Sequence, residues 1–323
     1  MRRREFLLAG IGISAGWSPV ARAQQLEGKL PKIGIIQSVR SETTDALVEA
    51  LRELGYIHGQ TALLEARFYG PISDRANEFA RELADLKCSV IFAANPYSIG
   101  AVIRATSVTP IVAVDLEDDP VANGWAQSIP RPGGNLTGLF LDLPELGGKQ
   151  IELLREVVPN LADVGVLWDA TFGAVQFRAT EAAMHSSGVT LQSFPVRDVE
   201  DISNAIDRAT RARVQGLIVL TSPLIFNQLS QIADLALKGR LPMVSIFNSF
   251  PKVGGLMAYG PNLASMFKRA ASYIDRILRG AKPGDLPIER PSKFALVINI
   301  KTANSIGLEI PWQLQQLADE VIE

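Results

Sequence analysis

Cysteine is almost absent from this chain. Cys88 is the only one, so no disulfide can form within a single copy whatever the redox compartment. It lies in Leu86-Lys-Cys-Ser-Val-Ile91, at the start of an apolar run, where a small buried apolar residue is the ordinary reading. Histidine is nearly as scarce. His58 follows Gly55-Tyr-Ile in a turn and His185 precedes Gly188 near a helix end, which leaves imidazole acid–base chemistry little material. Beyond residues 1 to 23 there is no G-x-S-x-G nucleophile elbow, no H-E-x-x-H helix and no G-x-x-x-x-G-K-[ST] phosphate loop. A surplus of positive charge is missing too: 32 Lys and Arg stand against 34 Asp and Glu, so nucleic acid is not an expected partner.

The apolar run at the N-terminus falls short of the roughly 20 residues that a membrane helix needs. Arg2, Arg3 and Arg4 precede Phe6-Leu-Leu-Ala-Gly-Ile-Gly-Ile-Ser-Ala-Gly16, Pro19 closes the run, and Ala21-Arg22-Ala23 offers the small-x-small pattern cut by signal peptidase. Residues 1 to 23 therefore read as a secretory signal peptide, with a mature chain from Gln24. Four basic residues and one acidic residue leave with the peptide, so the mature net charge is −5. Arg3-Arg4-Glu5-Phe6-Leu7 also resembles a twin-arginine export motif, and both export routes stay open. Gly10, Gly12 and Ala15 fit a dinucleotide fingerprint, but no strand precedes them and the segment is removed. With no Cys near the cut to carry a lipid, a soluble periplasmic protein is expected.

What the chain has is repetition. At 47% hydrophobic and 20% charged it has ample material for proper cores. Apolar runs of strand length alternate with segments of 3.6-residue periodicity. The strands are expected at 32–37, 63–69, 89–94 and 111–116, with helices at 43–55, 73–87 and 95–105. Arg131-Pro-Gly-Gly-Asn-Leu-Thr-Gly-Leu-Phe140 then breaks the pattern and carries the chain across to a second run. There, helices at 149–158, 174–187, 199–212 and 224–238 alternate with strands at 163–168, 190–196, 216–221 and 243–247. A helix at 263–279 and a strand at 294–298 follow. Such alternation requires crossover connections and parallel sheets flanked by helices.

The expected architecture is α/β with two lobes. Residues 24–138 plus 256–288 form the first and residues 139–255 plus 289–323 the second, joined by a multi-strand hinge. Hinge rotation is expected at Gly138 to Pro144, Phe247 to Gly255 and Pro287 to Pro291.

Ligands of parallel sheets meet the loops at the carboxyl ends of strands. In the first lobe those loops hold Gln37, Ser38, Asn95, Tyr97, Ser98, Asp115 and Asp119, and in the second Trp168, Asp169, Phe172, Thr221, Ser222, Phe247 and Asn248. Asp115 and Asp119 are candidates to pair an ammonium group. The helix starts after Asn95 and Thr221, with the hydroxyls of Ser98, Thr221 and Ser222, are candidates to meet a carboxylate. Tyr97, Trp168, Phe172 and Phe247 are candidates to wall an apolar side chain, core packing being the plainer account of each. Asp115, Glu117, Asp118 and Asp119 lack the spacing of a calcium loop and read more simply as solvated charge. No metal and no cofactor is expected. A small zwitterion, an amino acid with an apolar or aromatic side chain, fits these groups better than a sugar.

Three stretches carry a specific resemblance: Arg131-Pro-Gly-Gly-Asn-Leu-Thr-Gly138, Gly254-Gly-Leu-Met-Ala-Tyr-Gly-Pro-Asn262, and Pro291-Ser-Lys-Phe-Ala-Leu-Val-Ile-Asn-Ile-Lys-Thr-Ala303 followed by Gly307-Leu-Glu-Ile-Pro311. Together they resemble the ABC transporter substrate-binding protein family that includes the tryptophan- and tyrosine-binding TrpX-like proteins, over essentially all of the mature chain. The resemblance implies a type I periplasmic-binding fold, a ligand cleft between two lobes and no catalysis. The implied partners are a small-molecule ligand and an ABC permease in the inner membrane, with the protein itself a monomer. A ligand sensor that presents its closed form to a membrane receptor is the same physical module with another partner. A secreted hydrolase would share the sheets but need a nucleophile or a metal set.

Overall fold

The first apolar run becomes strand β1 (Lys32–Gln37), whose residues from Ile33 onward are all buried. This is a computed structural model, and it describes residues 30–70, 75–116, 118–141, 144–171, 173–291 and 293–323. The signal-peptide reading of residues 1 to 23 and the candidate Phe172 fall outside the described residues. β1 is joined by β2 (Leu63–Phe68), β3 (Val90–Ala94), β4 (Ile111–Asp115) and β5 (Leu136–Phe140) in a five-stranded sheet of order β2-β1-β3-β4-β5. All its pairings are parallel. Every residue of β3, β4 and β5 is buried, as a sheet covered on both faces requires. The cover comes from α1 (Glu42–Glu53), α2 (Arg75–Asp85) and α3 (Pro96–Ala105). Cys88 is buried between this sheet and α2, and desolvation pushes its thiol up to about 11, which keeps it neutral at ordinary pH.

The second half supplies α4 (Pro144–Val157), β6 (Asp163–Asp169), α5 (Ala174–Ser187), β7 (Thr190–Val196), α6 (Val199–Arg211) and β8 (Gly216–Val219). It continues with α7 (Pro223–Asn227), α8 (Leu229–Gly239), β9 (Met243–Ser245), β10 (Met257–Pro261), α9 (Leu263–Leu278), β11 (Phe294–Asn299), α10 (Ile300–Ile306), α11 (Trp312–Leu317) and β12 (Glu320–Ile322). Seven strands form the second sheet, in the order β12-β11-β10-β9-β8-β6-β7. Its pairings are parallel except for β10 with β11. Among the described residues no helix is long and apolar enough to cross a membrane.

Several features differ from the sequence reading. Residues 256–288 do not belong to the first lobe as a block: β10 finds backbone partners in β9 and β11, so the chain returns to the first sheet only at Asn262. Asn262 caps α9 by accepting the Ser265 N–H at 2.9 Å, and α9 then packs on α1, β3, β4 and β5. The stretch Phe247 to Gly255 is consequently an internal connection of the second sheet rather than a crossing. The first boundary also shifts, because β5 stays in the first sheet as far as Phe140, where Phe140 N–H donates to the Glu289 carbonyl at 3.0 Å. Finally, the helix expected at 224–238 is two helices, separated at Gln228, whose backbone (φ −116°, ψ 16°) leaves the helical region.

α4 begins at Pro144 rather than near Lys149 and runs through Gly147 and Gly148, two residues that argue against a helix. Gly147 is explained by packing. A Cβ there would come within 3.2 Å of the Thr180 Cα, so the missing side chain lets α5 approach. Gly148 faces open space, and a Cβ added there would meet nothing within 4 Å. Gly148→Ala should therefore stabilise the protein by about 0.5–1 kcal/mol, seen as a higher urea midpoint. A lower midpoint would rule out an unstrained helix at this residue.

Candidate functional site

β1, β3 and β4 all end at the same edge of the first sheet, and α7, the loop after β9 and the start of α9 face that edge. Between them lies a cavity of about 550 Å³, its mouth included, a size suited to a small organic molecule. On the side of the first sheet its wall is Gln37, Ser38 and Val39 after β1, Ser41 and Thr43 at the start of α1, Ala94 and Asn95 after β3, and Val114 and Leu116 from β4. Ser222, Pro223 and Phe226 of the α7 region, Phe247 after β9, and Leu263 and Phe267 of α9 close the other side. None of these described residues is charged. The wall is aromatic in one half, where Phe226 meets Phe247 edge-to-face at 5.0 Å and Phe267 meets Phe92 at 5.1 Å.

The polar half is held by local hydrogen bonds. Gln37 Nε2 donates to the Val39 carbonyl at 3.0 Å and to Thr44 Oγ1, which ties the end of β1 to the first turn of α1. Asn95 caps α3: its Oδ1 accepts the Ser98 N–H at 3.2 Å and the Tyr69 hydroxyl at 2.8 Å. It does so at φ +79°, a backbone region that favours glycine. Ser222 Oγ accepts the Ile225 N–H at 3.1 Å and so starts α7. Just before it, the buried Gln176 side chain bonds both backbone groups of Thr221, accepting its N–H at 3.2 Å and donating to its carbonyl at 3.3 Å.

Of the candidates named from sequence, Gln37, Ser38, Asn95, Ser222 and Phe247 line this cavity. Asn248 lines a neighbouring space, and Thr221 a small pocket behind the wall. Ser98 is fully buried beneath Asn95. Asp115 is buried outside the cavity lining, with Oδ1 accepting the Leu116 N–H at 2.8 Å. Asp119 is exposed and braces its own turn, accepting the N–H groups of Val121 and Ala122. Trp168 stacks on Phe177 of α5 at 4.6 Å and donates to Ser193 Oγ at 2.9 Å, so its ring covers β6 and β7 instead of the cleft. Asp169 is buried and accepts the Thr171 N–H at 2.8 Å. Tyr97 on α3 is driven well above the usual phenol range, by burial first and then by the negative charge of Asp169. A residue of the first lobe is thus held within electrostatic reach of one from the second.

Periodicity missed Phe226, Leu263 and Phe267. Each fits the apolar stripe of a helix and reads as core, and only the helix start facing a strand end turns that stripe toward the cleft. Thr43 was missed because a residue in the first turn of a helix needs no ligand to explain it, while Ser41, the N-cap of α1, ends the loop that begins at Gln37. Among the described residues no group of three or more His, Cys, Asp and Glu could hold a metal ion.

The model of the ABC transporter substrate binding protein family matches residues 32–322. The tyrosine-binding protein of Clostridioides difficile is 21% identical over 313 residues, 94% of this chain and 89% of that protein. Among solved structures, an ABC domain of Streptococcus pneumoniae in complex with L-Trp superposes with a TM-score of 0.83 at 22% identity, covering 91% of this chain and all of that one. A conserved domain protein of Vibrio cholerae gives 0.85 at 22% identity over the same shares. The fold is accordingly the two-lobed type I periplasmic-binding architecture that the motifs implied. On the match across 32–322, this chain belongs to the ABC transporter substrate binding protein family.

Proposed function

We propose that the protein is an exported, periplasmic carrier that closes its two lobes on an amino acid with an aromatic side chain and delivers it to an ABC permease. The observation that carries this reading is the cavity wall: Phe226, Phe247 and Phe267 on one side, uncharged hydrogen-bonding groups on the other, at the facing strand ends of two sheets. The tyrosine and tryptophan named for the relatives support the same ligand class. Catalysis has no support in the described wall, where every polar side chain is an amide or a hydroxyl. The lobes move about Leu141 to Pro144, Asn262 and the segment after Glu289, where the chain crosses between the sheets. Arg269 of α9 pins that last segment to the first lobe through a bidentate pair with Glu289 at 2.8 and 2.5 Å.

Closure shifts a population only as far as ligand prefers the closed state. A ligand at about 100 times its Kd adds ~2.7 kcal/mol, which for a chain of this size raises Tm by roughly 4 °C. L-tryptophan, L-tyrosine or L-phenylalanine should give such a shift, and sugars or nucleosides should not. A shift with a sugar alone, or none with any aromatic amino acid, would defeat the reading while leaving family membership untouched.

A further inference from the structure

The small pocket behind the ligand wall lies at the carboxyl edge of the second sheet, between the first two turns of α4 and α5 and the strand ends Val219 to Thr221 and Ile246. Its volume is about 270 Å³, mouth included. That is below the roughly 300–1,000 Å³ of sites that hold organic ligands, but several times the ~30 Å³ that a water molecule takes up in the liquid. Gln150, Gln176, Thr180 and Thr221 line it, and all four are more than nine-tenths buried.

Two of these side chains have hydrogen bonds still to make. Gln150 is 3% exposed and Thr180 4%, and neither side chain has a hydrogen-bond partner among the described residues. Neither is sealed in protein as both ends of the Asn227 amide are, so both reach the pocket. A helical threonine can settle its hydroxyl on its own helix, as Thr210 does by donating to the Ile206 carbonyl at 2.9 Å. Thr180 makes no such bond. Its hydroxyl faces α4, where a Cβ added at Gly147 would lie 3.3 Å from Oγ1. Gln176 accepts the Thr221 N–H at 3.2 Å and donates to the Thr221 carbonyl at 3.3 Å, which leaves its Nε2 a second hydrogen to give. Buried polar groups are paired in folded proteins, by ordered water where no protein group serves.

We propose that this pocket holds an ordered water joining Gln150, Thr180 and Gln176, and that Gln150 acts through it as a positioning residue for the ligand wall. The route is short. Gln176 grips the backbone of Thr221, and the residues that follow, Ser222, Pro223 and Phe226, line the ligand cavity. The water site stands apart from the amino-acid reading of the cleft, while its effect on affinity rests on that reading.

The test joins crystallography to calorimetry. High-resolution crystals of the mature protein should show a water within hydrogen-bond distance of Gln150, Thr180 and Gln176, and crystals of Gln150→Leu should lack it. Affinity for L-tryptophan, L-tyrosine or L-phenylalanine, whichever binds, should fall about three- to tenfold in Gln150→Leu, the worth of one ordinary hydrogen bond. Thr180→Val, close in shape but without the hydroxyl, should weaken binding to a similar degree, and it serves alone if the leucine variant misfolds. The double variant should bind no more than about twofold more weakly than the worse single variant, because both changes remove the same water, whereas two independent packing defects would multiply. Four outcomes overturn the inference but not the amino-acid reading: a direct bond between Gln150 and Thr180 with no water, a water unchanged in Gln150→Leu, full affinity in both single variants, or losses that multiply. If none of the three amino acids binds, the amino-acid reading falls, and the crystals still decide the water site.

Discussion

Gly138→Ala should cost about 3–5 kcal/mol of stability, a larger loss than any surface change in this chain could produce. Gly138 lies in β5 opposite Ala113 of β4, and its φ of +146° aims a Cβ at the neighbouring strand rather than out of the sheet. The added carbon would sit 2.0 Å from the Ala113 carbonyl oxygen. Backbone cannot swing aside as a side-chain end can, so either β4 and β5 part or the residue abandons its conformation. Overpacking accounts for roughly 1–3 kcal/mol and the forced backbone for a similar amount. The damage has a further consequence, because the Gly138 carbonyl accepts the Glu289 N–H at 2.9 Å and so holds the last crossing between the sheets. Equilibrium denaturation should show a lower midpoint with an unchanged slope. A loss below about 1 kcal/mol would mean that β5 relaxes here without penalty and that the close approach is not structural.

The fold was largely legible because its signal is repeated. Ile33 to Ile36, Val90 to Ala94 and Ile111 to Val114 are continuous apolar runs that only a doubly covered strand explains, and the helices between them carry the stripe that covers those strands. Legibility failed where the outcome depends on which partner is nearer. Met257 to Pro261 is an adequate strand for either sheet, and nothing local says that β9 and β11 will leave a gap for it. Gly147 failed for the opposite reason. Propensity spoke against a helix, and the close approach to Thr180 overrode it.

The site was legible only as a set of loops. Strand ends can be located from periodicity, which is how Gln37, Ser38, Asn95, Ser222 and Phe247 were reached. The direction of a side chain at a strand end cannot be located that way. Trp168 and Asp169 are adjacent, yet one covers the outside of the sheet and the other is buried within electrostatic reach of Tyr97. Charge lies apart from this wall. Asp115, the candidate for an amine partner because it ends a strand, is buried outside the cavity lining with its Oδ1 on the Leu116 N–H, and the described wall of the inner cavity is neutral.

Asn95 should show an inverted order of substitutions, alanine harming stability more than glycine. Proline follows it, and a residue before proline ordinarily takes an extended backbone with negative φ, yet Asn95 is held at φ +79°, ψ 159°. Its N–H donates to the Val114 carbonyl at 3.0 Å, so the end of β3 is tied to β4 at the very residue that turns into α3. The side chain supplies the cap for Ser98 and accepts the Tyr69 hydroxyl. Asn95→Ala deletes the cap, worth about 1 kcal/mol, and the hydroxyl bond, worth about the same, while keeping a Cβ at positive φ. A loss of about 2–3 kcal/mol is expected. Asn95→Gly deletes the same bonds but releases roughly 1–3 kcal/mol of backbone strain, and glycine is itself a tolerated cap. Its net change should be near zero. Binding should not follow stability: both variants remove the amide from the cavity wall and should bind an aromatic amino acid more weakly than the unmodified protein. If glycine proves the more damaging of the two in denaturation, the positive φ carries no strain. If Asn95→Gly keeps full affinity, the amide serves the helix and not the ligand.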